Sequence, residues 1–123
     1  MVSSQSTTVL HPGAEDAARK FVLAPRLSDL KGTTVGLIDN HKRNADVYIA
    51  ELSRVLQEEY GVSKVVTYRK ASQSIPTPDD VLDSLAAECD AIIHAVADSC
   101  TAWGLHDGIE AEKRGRPAET VIT

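Results

Sequence analysis

The chain has 123 residues and a formal net charge of −5, enough for one hydrophobic core and one domain. Its 42% hydrophobic and 25% charged residues are ordinary for a globular chain, and the absence of any basic stripe to neutralise phosphates argues against nucleic acid. No apolar run approaches the roughly 20 residues of a membrane span, and Met1–Thr8 lacks the basic and apolar regions of a signal peptide, so no membrane partner and a cytoplasmic, reduced setting are expected.

Residues 1–32 read as an N-terminal arm, rich in Ser and Thr, broken at Pro12-Gly13 and Pro25, with a short helix over Ala14–Phe21. From residue 33 to residue 123 the pattern is that of an α/β domain. Thr34–Asp39 is a short apolar strand. Asn44 is placed to cap a helix over Ala45–Tyr60, with Asp46 in its first turn and Gly61 past its end. Tyr48, Leu52, Val55 and Leu56 give that helix an apolar face. Val62–Tyr68 is a second strand. Thr77-Pro78-Asp79-Asp80 predicts a helix start, with the hydroxyl as cap and proline at the first helical position. That helix runs to Glu88, and Ala91–Val96 follows as a third strand. Thr101–Arg114 is a third helix, stopped by Gly115 and Pro117, and Glu119–Thr123 is a fourth strand.

Strands alternating with helices predict an open parallel sheet flanked by helices. Right-handed crossovers make 2-1-3-4 the most economical order, as in flavodoxin-like and Rossmann-like sheets, with the switch point between strands 1 and 3. Ligands bind outside the carboxyl ends of the strands at such a point. Two loops meet there, Asp39–Asn44 and Ala97–Cys100. Cys100 falls at the start of the third helix, where the positive end of the helix dipole favours thiolate, so it is a candidate nucleophile. The bland alternative is a small buried residue at a helix start.

Cys89 ends the second helix away from the crevice and reads as structural. A disulfide between the two cysteines is excluded, because a strand at about 3.3 Å per residue holds them too far apart. His94 lies mid-strand and reads as a hydrogen-bonded core histidine rather than a ligand. Asn40, His41, Lys42 and Asn44 could bind a carboxylate or phosphate, or form a solvated loop. Trp103 is either a core anchor or a pocket wall. The Gly104-x-x-x-Gly108 spacing suits close helix–sheet packing. No metal is expected, since no Cys or His pair has close ligand spacing. No cofactor is expected either, because no glycine-rich fingerprint follows strand 1.

The stretches Leu37–Asp46, Arg69-Lys70, Ala97–Asp107 and Ile109–Pro117 resemble the UGSC-like family, over roughly residues 9–123. That family is named for a selenocysteine-Gly-Ser-Cys motif in which cysteine often takes the first place. A more distant similarity is to the selenocysteine-bearing subunit of glycine-reductase-type complexes. The resemblance implies a site at Ser99-Cys100-Thr101, with His106 as an acid/base partner, and it adds weight to binding by the Asn40–Asn44 loop. It also implies that relatives continue beyond Thr123, where this chain ends in a strand with no helix to follow. The chain departs from the motif at Ala97 and Asp98, which stand where selenocysteine or cysteine and then glycine are expected. Thiol–disulfide cycling within one chain is therefore excluded.

Two functions follow as expectations. One is a subunit of a small-molecule-metabolising enzyme, in which Cys100 and His106 are catalytic and Asn40, His41, Lys42, Asn44, Ser99 and Thr101 bind an anionic substrate. The other is a non-catalytic partner subunit that completes a heteromeric complex. Both imply a homo- or hetero-oligomer.

Overall fold

The computed structural model describes residues 5–10, 22–98 and 101–123, with Thr101 as backbone only. The expected helix over Ala14–Phe21, together with Ser99, Cys100 and the Thr101 side chain, lies outside the described residues. Along the chain come β1 (Thr34–Asp39), α1 (Ala45–Glu58), β2 (Lys64–Arg69), α2 (Asp79–Glu88), β3 (Ala91–Ala97), α3 (Thr101–Lys113) and β4 (Ala118–Ile122). The strands form one sheet in the order β2-β1-β3-β4, parallel throughout. This is the α/β arrangement that the alternating apolar segments predict.

Side chains alternate between the faces of a strand, and here each face meets its own helices. Val35 and Leu37 of β1 and Ala95 of β3 pack with Ile49 and Leu56 of α1. Ile38 and Ile92 point the other way and pack with Leu82, Leu85 and Cys89 from α2 and Ala111 from α3. Gly36 lets α2 come close: a Cβ there would lie 3.0 Å from the Cys89 sulfur and 3.5 Å from Leu85. Cys89 is thus a packing residue, and burial pushes its thiol up to about 11.

Three local details differ from the sequence expectations. The inward stripe of α1 runs through Ala45, Ile49, Leu52 and Leu56, leaving Tyr48 40% exposed. Asn44 does precede α1, but at φ 67° its side chain makes no capping hydrogen bond. A side-chain cap needs the extended backbone that an N-cap residue ordinarily adopts; asparagine instead tolerates the left-handed turn. Pro78, not Thr77, occupies the N-cap position of α2, because the Thr77 hydroxyl is drawn 2.7 Å from Asp107 on α3.

Glu112, nearly buried on α3, ties three segments together. It accepts hydrogen bonds from the backbone N–H of Ala24 at 2.6 Å and of Ala118 at 2.9 Å, and it pairs with Arg26. Burial pushes this carboxyl up, but the N–H donors and Arg26 outweigh it and hold the group below its ordinary 4.5. Among the described residues, no helix is long and apolar enough to cross a membrane.

Candidate functional site

Because the strands are parallel, β1 and β3 end at the same edge of the sheet, with Asp39 paired to Ala95. Alternation carries Asn40, just after β1, and Lys70, just after β2, onto the α2/α3 side, where His94 of β3 also points. α3 brings Asp107 over them. Its inward stripe is Gly104, Asp107, Gly108 and Ala111, at i, i+3, i+4 and i+7 spacing, so one carboxylate descends among residues with almost no side chain. All four polar groups, Asn40, Lys70, His94 and Asp107, are at most 1% exposed.

Burying a lysine and a carboxylate is costly unless their hydrogen bonds are met, and most of them are. Lys70 Nζ donates to Asn40 Oδ1 at 2.9 Å and lies 3.8 Å from Asp107 Oδ2. The Asn40 amide donates to Val96 O at 3.1 Å, and its backbone N–H donates to Ala95 O at 2.8 Å. Asp107 also accepts from the Thr77 backbone N–H, 3.0 Å from Oδ1 and 3.2 Å from Oδ2. His94 is the exception. Its Nε2 is 3.6 Å from Asp107 Oδ2, beyond a hydrogen bond, and among the described residues both ring nitrogens lack a hydrogen-bond partner. The expected hydrogen-bonded core histidine is buried as foreseen, but it is not satisfied. Burial pushes its pKa down to about 4, so the ring is neutral at pH 7. Gly104 makes room for it: a Cβ there would stand 3.1 Å from His94 Nδ1 and from Ala97 Cβ.

The residues expected to bind substrate are only partly brought together. Asn40 sits at the centre, with both ends of its amide engaged internally. His41 is exposed, at φ 61°, its N–H donating to Asp39 Oδ1 at 2.8 Å and its Nδ1 lying 2.6 Å from Lys70 O. Lys42 reaches across the strand ends to Asp98, with Nζ–Oδ2 2.6 Å, and also contacts Thr123 Oγ1 at 3.3 Å. Asn44 is exposed at the outer end of the loop. His106 lies on the outer side of α3, 42% exposed, with Nδ1 3.4 Å from Asp107 Oδ1 and its ring edge-on to Trp103. Trp103 is 38% exposed and anchors no core. His106 lines a groove of about 480 Å³ with Pro76, Thr77, Pro78, Asp79 and Glu110.

A family model, that of the UGSC family, matches residues 8–123. The chain belongs to the UGSC family. No curated protein and no solved structure matches it. In this UGSC chain, Ala97, where the motif resemblance places selenocysteine or cysteine, is fully buried at the end of β3. Its carbonyl accepts a hydrogen bond from Thr123 N–H at 2.8 Å.

Sequence reasoning singled out neither Lys70, Asp107 nor Thr77 as site residues. One signal was available for Asp107, an acid on a helix stripe otherwise made of glycine and alanine. Another was available for Lys70, a cation continuing the inward parity of Val66 and Tyr68 past the end of β2.

Proposed function

We propose that this chain is a cytoplasmic subunit of a small-molecule-metabolising enzyme, with its site at the carboxyl ends of β1 and β3. The observation that carries this reading is the Asn40–Lys70–Asp107–His94 cluster. A core has no structural need for a buried cation and carboxylate, and replacing such pairs with apolar residues is often neutral or stabilising. Buried ionisable groups gathered at a sheet's switch point, His94 among them with its pKa pushed down by burial, are the usual mark of a working site. Cys100, the next cysteine after β3 in sequence, is the candidate thiolate. Thiol addition, lyase or transferase chemistry suits a single sulfur. His41 and Lys42 stand at the same strand ends to meet an anionic substrate, which would compete with Asp98 for the lysine. Ser99 and Thr101 flank the thiol in sequence and complete the proposed binding set.

Alkylation by iodoacetamide across pH tests the thiolate. Cys100 is expected to react with a midpoint below the 8.5 or so of a free thiol, well before Cys89. Cys100→Ser should remove that fast phase without lowering the melting temperature. An ordinary midpoint would instead favour a second reading, a non-catalytic partner subunit. That reading draws support from Ala97 and Asp98, which replace the first two motif residues.

A further inference from the structure

We propose that His106, Asp107 and His94 form a proton path from solvent to the buried end of the site. The path deepens the function proposed above and rests on the strand-end cluster being the working site, but it can be tested on the resting protein. Its outer end is His106, half-exposed beside the groove of Pro76–Asp79 and Glu110. Its middle is the fully buried Asp107, whose two oxygens meet different histidines, Oδ1 3.4 Å from His106 Nδ1 and Oδ2 3.6 Å from His94 Nε2. Its inner end is His94, sealed at 1% exposure with no hydrogen bond on either ring nitrogen among the described residues. A purely structural imidazole would be expected to satisfy at least one nitrogen. This one has only the Asp107 carboxylate within reach, and that carboxylate has only one exposed titratable neighbour, His106, among the described residues.

The step moves one proton and breaks no other bond. A protonated His106 gives its Nδ1 proton to the Asp107 carboxylate and takes a replacement from groove water. The carboxyl group turns, and the proton passes from it to His94 Nε2, making a transient imidazolium. Thr77 N–H lies within hydrogen-bond distance of both Asp107 oxygens, and the Thr77 hydroxyl, 2.7 Å from Oδ2, donates to whichever oxygen takes that place after the turn. The outer contact is a long hydrogen bond and the inner one lies just beyond a hydrogen bond, and contacts of this kind tighten in the working complex. The charges facing His94 are Asp107 on α3, Lys70 after β2 and Asp39 at the end of β1. Burial disfavours the imidazolium most and Lys70 adds to that, outweighing the two carboxylates that favour it, which keeps it short-lived. Gly104 is part of the same device, because any Cβ there would press on the ring.

The test is the rate of proton exchange on and off His94 Nε2, read by nitrogen-15 relaxation dispersion near pH 4.5 where both ring forms are populated, beside deuterium exchange at the backbone amides of β3. His106→Phe should slow ring exchange about tenfold or more, the scale of a lost acid/base relay, while the β3 amides exchange as before. Added imidazole should restore the rate. His106→Gln, a smaller change at a half-exposed position, should slow exchange in the same way. Ring exchange unchanged in both variants, or moving in step with the β3 amides, would overturn the path by showing that opening of the fold admits solvent. Neither result bears on Cys100 alkylation, so failure of the path is distinguishable from failure of the proposed function.

Discussion

Burial depresses the His94 imidazole from its ordinary 6.5 to about 4, with Asp107 and Asp39 pulling the other way and Lys70 adding to the depression. The unfolded chain therefore takes up a proton between those two values that the folded chain refuses. Where the unfolded state binds more protons, stability rises with pH. The His94 contribution is complete above the unfolded value and is lost as pH falls toward the folded one. A shift of this size corresponds to about 3 kcal/mol over that window. His94→Leu keeps the apolar packing and removes the titration. Urea unfolding at pH 7, 5.5 and 4.5 should show the wild type losing stability more steeply than the variant. Parallel pH profiles would mean that the ring carries its charge inside the fold.

At the level of elements, α3 is the piece on which the site depends. Gly104 and Gly108 let it lie close against β3 and β4, and the Thr120 hydroxyl donates to Gly104 O at 3.1 Å. Gly104→Ala gains about 1 kcal/mol of helix propensity. It also forces a methyl group to 3.1 Å from Ala97 Cβ and the His94 ring, and such overpacking costs roughly 1–3 kcal/mol. The net expectation is a lower melting temperature together with displaced His94 ring resonances; a higher melting temperature would show slack between α3 and β3. The close approach of α3 was legible in the glycine spacing, as were the four strands, since apolar parity and length are local signals. β2 begins at Lys64 rather than at Val62 because the Val62 N–H closes the end of α1 on Leu56 O. The cluster was less legible. Lys70, His94 and Asp107 belong to three elements far apart in sequence, and no periodicity records which polar groups a sheet and a helix bring face to face. Thr77 was misread for the same reason: its capping signature is local, whereas its partner is 30 residues away.

Across the molecule, the β4 side carries apolar surface that no described residue covers. β4 is an edge strand, and beside it Leu105, Ile109 and Ile122 are 48%, 45% and 49% exposed. Leu105 and Ile109 lie one helical turn apart on α3 and line, with Leu23, Gly108 and Thr120 and the charged Arg26, Glu112 and Glu119, a groove of about 510 Å³. An open edge strand next to contiguous apolar side chains is a standing invitation to pair. The chain is therefore expected to self-associate, or to join a second subunit, through this side, burying about 1,000 Å² or more in total, the scale of a specific contact. Sedimentation velocity at micromolar concentration should give a species larger than the 13.2 kDa chain. Leu105→Glu together with Ile109→Glu should return it to monomer, because two carboxylates would have to be desolvated at the centre of the contact. Both positions point away from Asp107 and His94, so the His94 ring resonances should stay in place. A wild-type chain that sediments as a monomer would remove the support that the exposed surface lends to the subunit reading.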